Sequence, residues 1–454
     1  MNITIVGAGI AGLSAAFELQ QSGFEVMLLE GSERLGGKIL TSEIEGFNID
    51  AGPDSFLTRD PEMRELCFSL GVGDELVPPT GKPAKVWVDG EMHNLPKRHF
   101  LGVPLDLDEL DELSLLTEEG AKRAKLDLTL PDNKPKEGET VGSLIRRRLG
   151  DEVMDRLVGP LLGGINAGDA DDLCLESGVP QLFNASQGDF SLVRSIQDFL
   201  KNQNRDPASP VFLTHPDGLQ TVVKRLEEQI DSNIRRNERV TSVEISDNSI
   251  LVKGSQEYQT DAVILCIPAF VAAKLLQDSC PDTSNLLAKI QYASMAFITF
   301  GFNKGDVPQF NGSGFLIGRD ENLLTTACSW TSEKWSHLKN DDTVFLRLSV
   351  GRFGDTKALA MEDDALIKNL NGELATLTGI NADPIATRVT RWPNSFPQYE
   401  LGHGDRINVI RQQAALEMPG MFLAGSPYKG IGLSACIRDG IDQARKAKNF
   451  LMQR

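Results

Sequence analysis

The first thirty residues show two hydrophobic patterns in succession. Residues 3–6, Ile-Thr-Ile-Val, form an apolar and β-branched run that is typical of a buried strand. Apolar residues then follow at helical spacing from Leu13 to Leu19, and a second apolar run at residues 24–29 ends in Glu30. This order predicts a strand–helix–strand unit in which the helix connects two parallel strands.

A glycine-rich turn, Gly7-Ala8-Gly9-Ile10-Ala11-Gly12, joins the first strand to the helix with the spacing GxGxxG. In a dinucleotide site the first glycine permits a tight turn, the second lets a pyrophosphate approach the backbone, and the third lets helix and strand pack closely. The helix N-terminus offers N–H groups and a positive dipole end to the phosphates. Glu30 stands where an acid binds a ribose hydroxyl and repels the 2′-phosphate of NADP. The pattern predicts a dinucleotide site, against the alternative of a purely structural turn.

Later segments predict the rest of a nucleotide-binding sheet and a second sheet. Residues 261–268 are a near-continuous apolar run, as in a buried parallel strand. Strand-like runs between residues 296 and 392 indicate an antiparallel or mixed sheet, accompanied by a helix at 363–377. Residues 421–451 return to a strand, a glycine turn and a helix, which predicts a second contact with the dinucleotide.

Residues 105–200 are mostly helical in pattern and rich in charge. Within them, Arg146-Arg147-Arg148 are expected on a solvated helix face, because runs of like charge usually lie in water. Glycine and proline at residues 159–169 are expected to interrupt the helical pattern. This region predicts a separate helical lobe inserted between parts of the nucleotide domain.

Length, charge and cysteine usage restrict the class of protein. A chain of 454 residues is expected to fold as two or three domains. Its net charge of −18 disfavours binding to nucleic acid or anionic lipid. The best candidate for a membrane span, residues 262–276, is short and contains Pro268 and Lys274. Six scattered cysteines without a CxxC motif favour a reducing cytoplasm, and no metal site is expected.

The residues after Glu30 indicate which dinucleotide binds. Arg34, Gly36, Gly37 and Lys38 follow it. This spacing resembles the E-x-x-x-R-x-G-G extension of flavin enzymes of the amine oxidase and protoporphyrinogen oxidase type. The resemblance, rather than the glycine turn alone, identifies the expected dinucleotide as FAD.

Further stretches resemble the oxygen-dependent protoporphyrinogen/coproporphyrinogen oxidase family over nearly the whole chain. Four carry its motifs: residues 52–57 (GPDSFL), 160–173, 390–399 and 425–436. Four others are most similar to the soluble, Gram-positive branch that oxidises coproporphyrinogen III: residues 92–97, 102–104, 325–330 and 334–337. Asn166, where a tyrosine is usual, and Ser434-Ala435, where Pro-Asp is usual, depart from the pattern.

The resemblance implies an α/β fold with a Rossmann-like FAD-binding domain of the amine oxidase/protoporphyrinogen oxidase type, a mixed-sheet substrate domain and a helical lobe. The FAD-binding domain would be discontinuous. The expected division is 1–80, 211–280 and 396–454 for FAD binding, 81–104 and 281–395 for substrate, and 105–210 for the lobe.

The resemblance also implies site residues. Those expected to contact non-covalent FAD are Gly7, Ala8, Gly9, Ile10, Ala11, Gly12, Glu30, Gly31, Lys38, Gly52, Pro53, Asp54, Ser55, Val240, Trp392, Ile431, Gly432 and Leu433. Those expected near the substrate are Arg59, Lys97, Arg98, Ile165 and Asn166. The three basic residues are expected to bind substrate carboxylates.

The implied reaction is the six-electron oxidation of coproporphyrinogen III to coproporphyrin III in heme biosynthesis, with O2 as oxidant and H2O2 as product. The flavin carries this chemistry, so no catalytic side chain is assigned. Three alternatives stay open: a protoporphyrinogen IX oxidase, a flavin amine oxidase with Tyr399 and Tyr428 beside the flavin, and a non-catalytic redox partner. Transient contact with a ferrochelatase is a further hypothesis.

Overall fold

The computed structural model describes residues 2–131, 134–188, 190–203, 209–230, 233–247 and 249–453. Contacts between Cα atoms divide the chain into two compact units. The first unit consists of Met1–Val77, Pro210–Gln291 and Gly404–Arg454, and the second consists of Pro78–Ser209 and Tyr292–His403. Both units are therefore assembled from segments that are far apart in sequence.

A parallel sheet forms the centre of the first unit. Its strands are, in spatial order, Asn233–Arg235, Glu25–Leu29, Asn2–Val6, Ala262–Leu265 and Met421–Leu423. The side chains of Ile3, Ile5 and Ile264 are completely buried. Helices cover both faces of such a sheet, so its strands are continuously apolar rather than alternating. The two buried parallel strands predicted at residues 3–6 and 261–268 are confirmed.

Two helices of the first unit pack closely against each other. They are Ile10–Gln21 and the C-terminal helix Leu433–Met452. A Cβ atom on Gly440 would lie 2.3 Å from the carbonyl oxygen of Ala11, so this approach requires a residue without a side chain. Each helix follows a parallel strand, and both helix N-termini therefore lie at the carboxyl edge of the sheet.

A buried carboxylate connects a hairpin of the first unit to a helix. Asp50 ends the hairpin and accepts hydrogen bonds from the Thr41 hydroxyl at 2.6 Å and the Leu219 backbone N–H at 3.1 Å. The second bond caps the helix that follows Leu219. The other elements of this unit are Thr41–Ile44, Phe47–Asp50, Phe56–Leu57, Glu62–Ser69, Gly73–Glu75, Phe212–Leu213, Gln220–Gln229, Ser242–Ser246, Ser249–Lys253, Glu257–Thr260, Ala269–Leu276, Pro281–Leu287, His403–Glu417 and Ser426–Lys429.

A seven-stranded mixed sheet forms the second unit. Its strands are, in spatial order, Ala386–Pro397, Tyr292–Asn303, Thr343–Val350, Thr325–Ser329, Gly314–Ile317, Ala84–Val88 and Glu91–Asn94. Gly314–Ile317 and Ala84–Val88 pair in parallel, and the other neighbours pair antiparallel. The helix Asp363–Thr378 contributes four leucines to the core of this sheet: Leu366, Leu370, Leu374 and Leu377. The predicted second sheet and its helix are confirmed.

Short helices make up most of residues 105–202. They are Glu109–Asp111, Glu118–Lys125, Leu126–Leu128, Val141–Leu149, Asp151–Val153, the π-helical turn Met154–Val158, Gly159–Asn166, Leu175–Gly178, Pro180–Ala185 and Leu192–Asn202. The interruption expected at residues 159–169 is wrong for 159–166, which are helical. Pro160 is the second residue of this helix, which directly continues the π-helical turn Met154–Val158. The remaining elements of the second unit are His99–Phe100, Val103–Pro104, Lys304–Asp306, Arg319–Glu321, Thr331–Lys334, Ser336–Leu338 and Ala358–Ala360.

The expected solvated face at Arg146-Arg147-Arg148 is wrong. The Arg148 side chain is 1% exposed and donates to Asp127 Oδ1 at 2.6 Å, while the Asp127 side chain is fully buried. Asp127 also accepts the Ser191 hydroxyl and the backbone N–H groups of Leu192 and Val193. Arg147 pairs with buried Glu139, and Arg146 bridges three aspartates. The run is a framework of ion pairs because acids distant in sequence fold onto it.

The second unit groups residues 105–209 with the mixed sheet, whereas the sequence predicts a separate lobe. The division into FAD-binding, substrate and lobe domains stays a prediction. No helix among residues 2–131, 134–188, 190–203, 209–230, 233–247 and 249–453 is long and apolar enough to cross a membrane.

Replacing Asp127 by alanine is expected to destabilise the protein by about 3–5 kcal/mol, because the buried Arg148 charge would lose its partner. Urea unfolding followed by circular dichroism measures this change. Glu118→Ala is the control, since the Glu118–Lys122 pair is exposed and its loss should hardly move the midpoint. Equal midpoints for Asp127→Ala and the unmodified protein would show that this pair does not support the fold.

Candidate functional site

Two glycines of the turn after the first strand are required by the packing of the chain itself. Gly7 has φ of +98°, and a Cβ atom there would lie 2.6 Å from the carbonyl oxygen of Cys266. A Cβ atom on Gly12 would lie 2.0 Å from the carbonyl oxygen of Gly7. These positions therefore admit no side chain, in agreement with the turn and close-packing roles predicted for them.

Gly9 differs from these two glycines. Its φ is −71°, which any residue can adopt, and a Cβ atom there would meet no atom of the described residues within 4 Å. It precedes the helix Ile10–Gln21, whose first turn has no side-chain cap among the residues that the structure describes. Open space beside uncapped helix N–H groups fits a bound phosphate. The dinucleotide interpretation explains a glycine that the fold does not require.

Glu30 is held at the end of its strand by three hydrogen bonds. Its Oε2 accepts the Ala8 N–H at 2.8 Å, and its Oε1 accepts the Ser32 N–H at 2.9 Å and the Ser32 hydroxyl at 2.7 Å. Each carboxylate oxygen keeps acceptor capacity beyond these bonds. The Glu30 carboxylate is thereby fixed beside the glycine turn, where the sequence predicts a ribose.

Arg34, the arginine of the E-x-x-x-R-x-G-G spacing, bonds to the loop that follows Glu30. Its guanidinium donates to the carbonyl oxygen of Ile39 at 2.7 Å and to that of Leu35 at 3.2 Å. The loop that it braces folds back on the glycine turn, since Gly36 N–H donates to Ala8 O at 2.8 Å. Arg34 therefore braces the loop that lies against the glycine turn.

Three segments of the first unit meet around Lys38. Its Nζ lies 3.5 Å from the Ser426 hydroxyl, and a Cβ atom on Gly52 would lie 2.0 Å from its carbonyl oxygen. Burial lowers the pKa of the Lys38 ammonium, and a Coulombic effect of Cys436 opposes this. In the turn after Gly52, the Ser55 hydroxyl donates to Asp54 Oδ1 at 3.0 Å. The structure thus brings the predicted Lys38 and Gly52 together.

The other predicted positions of the first unit also lie near one another. A Cβ atom on Gly31 would lie 3.7 Å from the Cα atom of Arg239, which immediately precedes Val240. Glu238 N–H donates to Glu30 O at 2.9 Å, so the segment before Val240 runs alongside the Glu30 strand end. This neighbourhood agrees with the predicted backbone contact at Val240.

An ion pair that the sequence did not predict holds the C-terminal turn. Arg411 Nη2 donates to Asp439 Oδ1 at 2.6 Å, and Asp439 Oδ2 accepts the Gly425 N–H at 3.0 Å. Gly425 has φ of +113° and precedes the turn to Gly432. The signal available in the sequence was an acid on the buried face of the final helix, where the Asp439 side chain is 2% exposed.

The C-terminal helix begins at Leu433 after an open glycine. A Cβ atom on Gly432 would meet no described atom within 4 Å, and no described side chain caps this helix. Ser434, one of the departures from the family pattern, has a structural task. Its hydroxyl donates to Asp60 O at 3.0 Å and accepts the Met63 N–H at 3.3 Å.

The remaining predicted positions are distributed over the two units. Arg59 lies in the first unit, with its Nε 3.8 Å from Asp60 Oδ2. The second unit holds Trp392, Lys97, Arg98, Ile165 and Asn166. Lys97 and Arg98 are exposed, Ile165 is 45% exposed, and Trp392 is half-buried. The carbonyl oxygen of Asn166 accepts a bond from Gln398 Nε2 at 3.2 Å.

Comparisons with known proteins show the family of this chain. Residues 10–447 match the family described as flavin containing amine oxidoreductase. The chain is 33% identical to the coproporphyrinogen III oxidase of Bacillus subtilis (strain 168), over 99% of this chain and 98% of that protein.

Solved structures show the same fold. A crystal structure from Exiguobacterium sp. 255-15, provisionally named a protoporphyrinogen oxidase, matches with a TM-score of 0.88 and 30% identity over 100% of this chain and 99% of that one. Cyclohexylamine oxidase from Brevibacterium oxydans matches with a TM-score of 0.71 at 16% identity, over 100% and 99% of the two chains, which shows the fold alone. These findings confirm the predicted fold class and the resemblance to porphyrinogen oxidases. The chain therefore belongs to the family of flavin-containing amine oxidoreductases, and it is a flavin-dependent oxidoreductase.

Proposed function

We propose that this protein is an FAD-dependent oxidase that converts coproporphyrinogen III to coproporphyrin III in heme biosynthesis. The observation that carries the proposal is the near full-length similarity to the coproporphyrinogen III oxidase of Bacillus subtilis. O2 would accept the electrons and yield H2O2. All six cysteines are free thiols, which supports a cytoplasmic location, where thiols stay reduced.

FAD would bind without a covalent bond in the first unit. The open space beside Gly9 fits the pyrophosphate, and the fixed Glu30 carboxylate fits the ribose of the adenosine half. The segments at Lys38, Gly52 and Gly432 would hold the remainder of the cofactor. Trp392, in the second unit, stays a predicted contact that rests on the resemblance alone.

When bound, FAD supplies the acceptor for hydride from the reduced ring of the substrate. The side chains of this protein would bind and orient the cofactor and the substrate, and they stabilise the backbone of the site. The first unit presents helix N–H groups and a carboxylate to the cofactor, and Arg34 and the Arg411–Asp439 pair hold the two glycine turns. No group of three or more potential metal ligands occurs in the described ranges from residue 2 to residue 453.

A protoporphyrinogen IX oxidase is the second candidate, because of the provisional name of the Exiguobacterium structure. A flavin amine oxidase has less support, since the amine oxidase structures share only the fold. The aromatic residues suggested for that alternative are used in packing: Tyr399 stacks on His403 at 4.0 Å, and Tyr428 lies under Arg411. Both tyrosines are at most 5% exposed. Delivery of the product to a ferrochelatase stays a prediction.

The purified protein is expected to be yellow and to release unmodified FAD when it is denatured. The reason is that the site binds by hydrogen bonds and helix N–H groups, as the glycine turn and Glu30 indicate. Precipitation with acid, followed by absorbance and chromatography of the supernatant, checks this. Flavin that stays with the precipitated polypeptide would contradict non-covalent binding.

Gly9→Val is expected to abolish flavin retention and to leave the fold intact, because the added side chain enters space that only a ligand would fill. The flavin-to-protein absorbance ratio and far-ultraviolet circular dichroism measure the two effects. Gly372→Val is the matched control, since its Cβ atom also meets nothing within 4 Å and it lies in the helix Asp363–Thr378. Full flavin content in Gly9→Val would show that the turn is structural only.

Coproporphyrinogen III is expected to give a higher kcat/KM than protoporphyrinogen IX. It carries four propionates instead of two, and a site that pairs them with basic groups would bind it better. Arg59→Ala should lower kcat/KM more for coproporphyrinogen III, by roughly 1.5–3 kcal/mol or about one to two decades in rate. Aerobic assays that follow porphyrin fluorescence compare the substrates.

Two outcomes of this comparison would change the interpretation. A higher kcat/KM for protoporphyrinogen IX would refute the proposed substrate and leave the oxidase reaction standing. Equal losses for both substrates in Arg59→Ala would show that Arg59 does not select between them.

A further inference from the structure

Arg352 lies in a tight turn of the second unit, directly after the strand Thr343–Val350. Its backbone N–H donates to Asp355 O at 3.1 Å, and the Asp355 N–H donates back to its carbonyl oxygen at 2.9 Å. Glycines with φ of +84° and +79°, Gly351 and Gly354, flank the turn residues. The backbone of Arg352 is therefore fixed by local bonds, and its side chain plays no part in closing the turn.

The Arg352 side chain is mostly buried and has no hydrogen-bond or ion-pair partner among the described residues. The residue is 9% exposed. Within the described part of the chain, no carboxylate lies within the 4.0 Å of an ion pair, and no acceptor makes a hydrogen bond to this guanidinium. Burial lowers its pKa, as does the nearby Arg319, while Asp355, Asp169 and Asp320 act in the opposite direction. A mostly buried charge without an ion-pair partner is costly, so a carboxylate ligand that paired with it would be favoured.

Other arginines of the second unit have partners. Arg148 binds Asp127, Arg147 binds Glu139, and Arg391 binds Asp363. Arg319 itself pairs with Asp169 at 3.2 Å. Arg352 thus differs from them in being both mostly buried and unpaired.

Arg352 adjoins the segment where the sequence predicts substrate contacts. The N–H of the next residue, Phe353, donates to Ala167 O at 2.7 Å, and Ala167 directly follows Asn166. Arg319 Nη1 lies 3.5 Å from the carbonyl oxygen of Phe353, on the same turn. These contacts connect the turn of Arg352 to the C-terminal end of the helix Gly159–Asn166.

We propose that Arg352 binds a propionate of the substrate and helps to select the tetracarboxylate coproporphyrinogen III. This inference rests on the proposed function and names a selecting residue within it. A planar guanidinium can donate two parallel hydrogen bonds to a carboxylate, which would satisfy the buried charge. Lys97 and Arg98, the basic residues predicted from the sequence in this unit, are exposed to water, where such a bond is worth less.

The test measures binding as well as turnover, because binding does not require the reaction. Coproporphyrin III would be titrated into the FAD-loaded protein and into its Arg352→Gln and Arg352→Lys variants, with porphyrin fluorescence as the readout. Arg352→Gln should raise Kd roughly ten- to hundredfold. Arg352→Lys should recover part of the loss, because it keeps the charge without the bidentate geometry. The tetramethyl ester of coproporphyrin III should bind all three proteins alike.

The melting temperature separates a binding role from a structural one. Arg352→Gln removes an unpaired buried charge, so its Tm should be equal to or above that of the unmodified protein, with full FAD content. Arg388→Gln, an exposed arginine on the strand Ala386–Pro397, is the matched control and should leave Kd unchanged.

Failure of the inference and failure of the proposed function give different results. If the unmodified protein oxidises no porphyrinogen, the proposed function is wrong, whatever Arg352 does. If it oxidises coproporphyrinogen III and Arg352→Gln changes Kd less than twofold, or if both Arg352 variants lose Tm or fail to fold, the assignment of Arg352 is wrong.

Discussion

The contact between Gly12 and the carbonyl oxygen of Gly7 is the constraint on which the first unit depends. A Cβ atom would lie 2.0 Å from this oxygen, so only glycine lets the helix begin directly at the strand end. The helix N–H groups then face the open space beside Gly9. The loop after Glu30 returns to the same turn, where Ala8 N–H binds Glu30 and Ala8 O accepts the Gly36 N–H. The requirement for glycine at position 12 thus positions both the helix N–H groups and the Glu30 carboxylate.

Buried aspartates stabilise the fold at several places. Asp50, Asp127 and Asp439 are at most 8% exposed, and each accepts backbone N–H groups where a helix or turn begins. Two of them also bind an arginine, which compensates their charge: Asp127 binds the buried Arg148, and Asp439 binds the partly buried Arg411. In the amino-acid composition these aspartates only contribute to the net charge of −18, and that charge by itself indicates a soluble surface. In the structure they fix elements that are distant in sequence, which no local pattern could reveal.

Elements that depend on local sequence could be predicted, whereas features that depend on contacts between distant residues could not. The parallel strands, the glycine turn and the helix Asp363–Thr378 were predictable because their signals lie within short windows of sequence. The Arg146–Arg148 run was misinterpreted because its partners are residues 127, 139, 151, 155 and 171. Gly7, Gly9 and Gly12 were recognised as a motif, but only the structure shows that Gly9 alone is not required by packing. Arg352 carried no sequence signal, since an unpaired charge is defined by what surrounds it.

An acidic protein with an anionic substrate needs positive charge that its own acids do not neutralise. The second unit pairs its arginines extensively, and the partly buried Arg146 bridges three aspartates. Exposed basic residues such as Lys97 and Arg98 act in water, where screening and the overall negative field weaken their attraction for a carboxylate. A mostly buried guanidinium without an ion-pair partner keeps more of its attraction for a carboxylate, at a cost to stability. The binding of a propionate therefore favours a buried, unpaired arginine over a larger number of exposed ones.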